Sequence, residues 1–401
     1  MSKFEAKSLA ILGRQPALGL SELESLYGAE HIRPLPGIAL LDIDAGEINF
    51  KQLGGTIKVA RILTTLPQAS WDAIENYLVE KVPIHLKHVP DSKFTLGLSA
   101  YGFDVSPQRI NKTALNIKKV AQRSMRVVPN NTPALSSAQV LHNKLTTKGA
   151  WELLMVKSAR QAILAQTFFV QNIEEYAARD QARPARDARV GMLPPKLAQI
   201  LVNLAVGQID KPKAKGQKPR LIRVLDPFCG TGVILQEALL AGYSIYGTDI
   251  DERMVSYTKQ NLQWLFERNP DIAGGVVVET ADATNYQWPG FSALATEAYL
   301  GRPLTRTPAR SELDKIIRDV NTITKKFLTN LYPQLRPGRR AAVALPAWQV
   351  SKNKFKFLPV IDEITDMGYN VKKFKHVFKN ELIYYRPNQI VGRQIIVLER
   401  K

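Results

Sequence analysis

Short apolar runs alternate along this chain with longer stretches in which apolar residues fall three or four apart. The runs predict buried strands and the wider spacing predicts amphipathic helices. In the N-terminal part, Ser8 to Gly13, Ile38 to Ile43, Lys58 to Thr64, Phe94 to Ala100, Trp151 to Lys157 and Ala162 to Val170 read as strands. Helices are expected over Gly19 to Leu26 (beginning near Ser21), Phe50 to Gly54, Trp71 to Val79 and Pro107 to Arg126. Such a mixture predicts a compact α+β module.

From Pro194 onward the alternation becomes regular. Pro194 and Pro195 stand where a first helical turn needs no donor, and Leu197, Ile200, Leu201 and Leu204 follow at helical spacing. The run Leu221 to Leu225 ends in Asp226, turns at Gly230 and Gly232, and continues as a helix over Val233 to Leu240. A second strand, Tyr243 to Thr248, delivers Asp249. A helix over Arg253 to Arg268 leads to a strand at Val276 to Thr280 with Asp282 just beyond it. Phe291 to Ala295 runs into Thr296-Glu297-Ala298-Tyr299, followed by a helix over Ser311 to Leu331 and a strand over Arg340 to Leu345. Phe357 to Met367 reads as a helix, and His376 to Phe378 with Gln394 to Leu398 as an antiparallel hairpin. The fold class is therefore α/β: a doubly wound, mostly parallel sheet with an antiparallel last hairpin, preceded by α+β structure. Ligands on such sheets sit at the C-terminal strand ends, so Asp226, Asp249, Asp282 and the Thr296 to Tyr299 group should share one edge.

Charge changes this picture. The 401 residues carry 55 Lys and Arg against 36 Asp and Glu, a formal net charge of +19. An excess of that size favours an anionic partner, for a soluble enzyme nucleic acid before others, with a basic proteome or a solubility device as the alternative. The helix from Pro107 concentrates it: Arg109, Lys112, Lys118, Lys119, Arg123 and Arg126 lie in a stretch, residues 105–151, without a single acid. Phosphate contact and an ordinary solvated helix face both remain open for it. Tyr176 to Lys196 reads as an arginine-rich, proline-punctuated linker, and Asp210 to Arg220 as a basic loop.

The one cysteine, Cys229, excludes an intramolecular disulfide and a cysteine-built metal centre, and the five histidines show no metal-ligand spacing. No apolar run approaches the roughly 20 residues that span a bilayer, and the Leu9 to Leu12 run is too short for a signal core. A reducing cytoplasm is the simplest expected location.

The turn itself runs Asp226-Pro-Phe-Cys-Gly-Thr-Gly232, with its first glycine late, unlike the Gly-x-Gly-x-x-Gly order of dinucleotide dehydrogenases. It resembles the first motif of class I S-adenosylmethionine-dependent methyltransferases that act on exocyclic base amines. Three further stretches, Leu12 to Leu23, Gly191 to Ala198 and Tyr385 to Gln394, make the chain similar to the THUMP-domain tRNA guanine-N2 methyltransferase family, whose best known target class is guanosine at position 10 of tRNA. The resemblance implies a ferredoxin-like domain over residues 1–60, an RNA-binding THUMP domain over 61–172, a linker over 173–190 and a methyltransferase domain over 191–401. It also implies S-adenosylmethionine as cofactor and tRNA as partner, and it leaves open a small activating subunit, which some relatives need. Asp226, Gly230 and Gly232, with Phe228, would line methionine and ribose. Asp249, beside Ile250, would bond the ribose hydroxyls, and Asp282, beside Ala283, would reach the adenine amine. Carboxylates suit those donors.

The family's fourth motif has Asp or Asn, two prolines and an aromatic residue; this chain has Thr296, Glu297, Ala298 and Tyr299. Tyr299 keeps the stacking role, and Glu297 takes the amine-accepting role if the loop shifts by one residue. Two functions follow: methyl transfer to a guanine N2 in tRNA, or a catalytically weak or silent tRNA-binding protein that keeps a cofactor site. A DNA amine methyltransferase is a weaker third.

Overall fold

The structure, a computed structural model, describes residues 4–89, 93–187, 192–209, 221–304, 306–351, 354–387 and 389–401. The expected basic loop thus lies wholly outside the described residues, as does part of the expected linker. Contacts divide the chain into two compact units, one of Met1–Pro16, Glu30–Lys51 and Thr56–Glu175, the other of Ala17–Ala29, Gln52–Gly55 and Tyr176–Lys401.

The first unit is built on an eight-stranded sheet. Strand β1 (Ser8–Leu12) precedes helix α1 (Pro16–Tyr27), which from Ala17 onward belongs to the second unit. β2 (Ile32–Leu35), β3 (Ile38–Leu41), β4 (Thr56–Leu66), β5 (Phe94–Tyr101), β6 (Met125–Val127), β7 (Ala150–Ser158) and β8 (Gln161–Val170) complete the sheet in the order β2-β3-β1-β4-β8-β7-β5-β6. Helices α2 (Trp71–Leu86) and α3 (Pro107–Val120) bury Ile74, Leu78, Ile110 and Ile117 against Phe94, Leu96 and Leu153. Each begins at a serine, Ser70 or Ser106, whose side chain accepts a backbone N–H of the first turn. On the sheet, Lys58 and Glu152 form a fully buried ion pair, with Ser99 and Thr167 also donating to the carboxylate.

The helix expected through Arg126 stops at Val120. Ala121 is extended, at φ −74° and ψ 112°, and the chain turns to lay Met125 into the core on strand β6, parallel to β5. Burial of Met125 in the core, on a strand paired with β5, ends the helix that the sequence pattern extends through Arg126. Helix α4 (Ser137–His142) follows, closed by a capping box of Ser136 and Gln139.

Part of the expected linker is helix α5 (Ile173–Gln181), whose first-turn acids Glu174 and Glu175 suit the helix dipole. The second unit continues with α6 (Pro195–Val206), β9 (Arg223–Asp226), α7 (Val233–Leu240), β10 (Ser244–Asp249), α8 (Glu252–Arg268), β11 (Val276–Thr280), β12 (Ala293–Glu297), α9 (Arg310–Leu331), β13 (Arg340–Ser351), β14 (Lys354–Lys356), α10 (Val360–Glu363), β15 (Tyr369–Val371), β16 (Ile383–Tyr384) and β17 (Val391–Arg400). The sheet order is β11-β10-β9-β12-β13-β17-β15, parallel from β11 to β13 and antiparallel at β17, with β14 on β13 and β16 on β17. The strand order reverses between β9 and β12, which is where such sheets open a crevice.

Two late elements differ from expectation. The helix expected over Phe357 to Met367 is one turn, starting after Pro359. His376 to Phe378 is not a strand: the amides of Lys375 and His376 donate instead to the Glu24 carboxylate of α1, at 2.7 and 3.2 Å. The antiparallel partners of β17 are β13, β15 and β16. Also on α1, the buried carboxylate of Glu22 accepts from the amides of Gly54 and Gly55 at 2.9 and 2.8 Å and from Asn203 of α6 at 2.7 Å. A Cβ on Gly55 would stand 2.5 Å from Gly19 Cα, so this contact requires glycine.

Candidate active site

Why the chain turns after β9 follows from its glycines. Gly230 and Gly232 have φ of 53° and 81°, a region that side chains disfavour. Gly230 donates its amide to Asp249 Oδ2 at 2.9 Å, and Asp251 donates to Oδ1 at 3.0 Å, so Asp249 at the end of β10 holds the neighbouring turn. A Cβ on Gly232 would lie 2.9 Å from Thr258 Cγ2, whereas one on Gly230 would meet nothing within 4 Å. Gly230 therefore faces open space and Gly232 faces α8.

That open space is a cavity of about 760 Å³ at the C-terminal strand ends. Of the residues selected from sequence, Asp226, Phe228, Gly230, Asp249, Ile250, Asp282, Ala283, Glu297 and Tyr299 line it. Gly232 and Thr296 do not. Thr296 is fully buried and its hydroxyl donates to Asp226 Oδ1 at 2.7 Å, which makes it a support for that acid rather than a wall of the cavity. Asp282 commits Oδ1 to the Thr284 amide and hydroxyl at 2.9 and 2.8 Å. Tyr299 is 44% exposed and Ile250 70% exposed, both apolar surfaces at the cavity's open side.

Burial dominates the electrostatics. Asp226, only 1% exposed, has its pKa pushed up to about 7 by desolvation, against the lowering effect of the Thr296 hydroxyl and the Phe228 amide. Desolvation also raises Asp249 and Glu297 above the ordinary carboxylate range. Glu297 has a counterweight absent from the sequence-selected set: Arg393 on β17 donates from Nε to Glu297 Oε1 at 2.7 Å and favours the ionised form. The Arg393 side chain is 6% exposed and that of Glu297 15%. Because Glu297 lies opposite Ala344 of β13 and Arg393 opposite Pro346, the pair reaches across one intervening strand.

Sequence reasoning missed Arg393 although it lies within the quoted Tyr385 to Gln394 stretch. It also missed Asp187, Met192 and Leu193, cavity-lining residues that looked like linker or helix lead-in. Cys229 is buried, with its thiol pushed well up by desolvation, which suits packing and not nucleophilic attack.

The cationic residues of the first unit divide. Arg109 is paired with Asp72 and Glu75 at 2.6 and 2.8 Å. Arg123, off the helix, donates to the carbonyls of Leu86 and Val89 and sits 5.8 Å over the Phe94 ring. Lys112, Lys118 and Lys119 are exposed on α3, and Arg126 is exposed on β6. Among the described residues no cluster of His, Cys, Asp and Glu is arranged to hold a metal, and no helix is long and apolar enough to cross a membrane.

A solved structure, that of TrmN from Thermus thermophilus, superposes on the chain with a TM-score of 0.53, covering 99% of this chain and 100% of that one at 16% identity. The chain shares its fold. Curated relatives match in sequence over shorter stretches. A tRNA (guanine(10)-N2)-dimethyltransferase from Pyrococcus abyssi is 33% identical over 159 residues, 39% of this chain and 39% of the relative. One of the same name from Methanothermobacter thermautotrophicus is 44% identical over 86 residues, 21% of this chain and 22% of the relative. The matches therefore span well under half the length of those relatives. No family model matches the sequence.

Proposed function

We propose that this protein transfers a methyl group from S-adenosylmethionine to a guanine N2 amine of tRNA, at position 10. The observation that carries this reading is that Asp226, Asp249, Asp282, Glu297 and Tyr299 all line one and the same cavity. The names of the sequence relatives support the substrate and the position. The donor set fits the cofactor: ribose hydroxyls and amines are hydrogen-bond donors and these groups accept, while bare backbone at Gly230 leaves room for close approach. When bound, the cofactor supplies an electrophilic methyl on a sulfonium.

The rest is done by the chain. Tyr299 offers an exposed ring on which a base can stack. Glu297, held by Arg393, accepts a hydrogen of the base amine, fixes its direction and takes up the proton released on methylation. Its raised pKa makes it a better proton acceptor than an ordinary carboxylate. The first unit binds tRNA phosphates through Lys112, Lys118, Lys119 and Arg126, with Arg109 and Arg123 shaping that surface from behind. In this reading, residues 1–60, 61–172 and 191–401 serve as ferredoxin-like, THUMP and methyltransferase parts, working in the cytoplasm with or without an activating subunit.

One observation favours the silent alternative: Thr296, at the family's acid position, is turned away to Asp226. Labelled methyl transfer to unmodified tRNA, followed by nucleoside analysis, separates the two. Label in N2-methylated guanosine supports the enzyme, and salt-sensitive tRNA binding without label supports the alternative.

A further inference from the structure

Past Arg393 the sheet continues for one more strand, and that strand carries a ring and a cation outside the cavity. Tyr384 of β16 lies opposite Arg393 of β17. Arg393 in turn lies opposite Pro346 of β13, and Glu297 of β12 opposite Ala344. Side chains two apart on a strand, or opposite each other on neighbouring strands, share a face of the sheet. Glu297, Arg393 and Tyr384 therefore form a row on one face, leading outward from the cavity, and Arg393 bonds Glu297 at 2.7 Å along it. Three strand spacings, roughly 14 Å, separate its two ends. Arg386 joins the far end, donating from Nε to the Tyr384 hydroxyl at 3.0 Å. Neither Tyr384 nor Arg386 lines the cavity itself.

The backbone here is held from the other side. Tyr385 packs against Phe355 of β14 with ring centroids 5.4 Å apart. A Cβ on Gly392 would stand 3.0 Å from the Tyr384 carbonyl oxygen and 3.3 Å from both Phe355 Cε1 and Tyr385 Cβ, so glycine lets these segments close over β17. Tyr384 is half-buried and Arg386 exposed. Strands β13, β14 and β16 contain no acid, and β17 only Glu399, next to its last residue. Glu381, just before β16, accepts the Phe378 amide at 2.8 Å. Among the described residues neither Arg386 nor the exposed Lys354 of β14 makes an ion pair. A partly exposed ring beside unpaired cations, with the nearby acids committed elsewhere, suits an unpaired nucleic-acid strand.

We propose that Tyr384 and Arg386 hold the nucleotide adjoining the target guanosine, Tyr384 by stacking on its base and Arg386 at its phosphate. This rests on the tRNA methylation reading. A base drawn into a cavity leaves its stack, and its neighbour loses one stacked face. Tyr384 replaces that face just outside the cavity, and its place in line with Glu297 fixes the direction from which the target enters.

Equilibrium binding of unmodified tRNA to the full chain tests this, using intact tRNA and tRNAs with an abasic site on one side or the other of guanosine 10. Tyr384→Leu should weaken intact tRNA about five- to a hundredfold, the range for losing one stacked base, while Tyr384→Phe should bind as the wild type does. One of the abasic tRNAs should bind the wild type more weakly by a similar factor, yet bind Tyr384→Leu no more weakly than intact tRNA, because both changes remove the same stack. Arg386→Gln should flatten the dependence of log affinity on log salt by about 0.7, and Arg386→Lys should keep it. S-adenosylmethionine affinity should stay unchanged throughout. The proposal is overturned by wild-type binding in Tyr384→Leu, by no loss with either abasic tRNA, by losses that multiply, or by an unaltered salt slope in Arg386→Gln. A matching fall in S-adenosylmethionine affinity in Tyr384→Leu means a structural role and also overturns it. Labelled methyl transfer is followed in parallel: wild-type protein that labels no tRNA overturns the methylation reading, a distinct result, and the binding comparison then decides the surface by itself.

Discussion

Replacing Arg393 by Met removes the cation that holds Glu297 while keeping most of the side-chain length. Were Glu297 to stay ionised, the uncompensated charge would cost about 3–5 kcal/mol, the usual penalty for breaking a buried pair. Taking up a proton is cheaper, because burial already raises this carboxyl and Arg393 is the group opposing that rise. The variant's glutamic acid then donates through its hydroxyl and no longer offers a carboxylate to the base amine. Each pH unit of displacement corresponds to about 1.4 kcal/mol. The sign is fixed: a raised pKa means the ionised form appears only at higher pH, so the acid limb of the rate profile moves to more alkaline values. At neutral pH, loss of the acceptor together with its fixed orientation should lower kcat on the order of 100-fold. The assay is steady-state methyl transfer to unmodified tRNA between pH 6 and roughly 9.5, with cofactor affinity measured alongside. Cofactor affinity should hold and the rate should recover as pH rises. Adding Glu297→Gln to Arg393→Met should cost little more than Glu297→Gln alone, since both act through one group. A kcat within twofold of wild type and an unmoved profile would refute the role given to the pair.

Other consequences follow from the same geometry. Because Asp226 has a pKa of about 7, S-adenosylhomocysteine should bind more tightly as pH rises through 7, when the carboxylate forms to meet the ligand's ammonium, and calorimetry on Asp226→Asn should show that dependence abolished. Gly230→Ala should fold with a left-handed backbone penalty of about 1–2 kcal/mol but lose cofactor affinity through its methyl, whereas Gly232→Ala should lose stability further by collision with Thr258, as thermal melts will report. Changing Lys112, Lys118, Lys119 and Arg126 together to Ala should weaken tRNA binding and flatten its dependence on log salt by about 0.7–0.9 per lost phosphate contact; an unaltered slope would remove them from the interface.

The strands and helices of the second unit as far as β13 were legible because their apolar positions recur at a clear period, as in Val233 to Leu240. The end of α3 was not, since the decision lies with Met125, whose burial depends on a sheet formed by distant strands. His376 to Phe378 looked like a strand for its apolar residues, but a carboxylate on α1 had already claimed its backbone. Cavity acids stood out at successive strand ends. Their supports did not: Arg393 is 96 residues from Glu297, and Thr296 withdraws because its side chain points to Asp226, a fact of register and not of residue type.

The path of α1 bears on how such a protein can be taken apart. The second unit draws Ala17–Ala29 and Gln52–Gly55 from the start of the chain, and Glu22 ties both to Asn203. No single cut therefore separates the two units. A fragment beginning at Tyr176 would leave buried Asn203 without its Glu22 partner, and the N-terminal remainder would carry a helix that belongs to the other unit. Shuffling by end-to-end fusion cannot exchange either half cleanly, so variation in one half is constrained to remain compatible with the other.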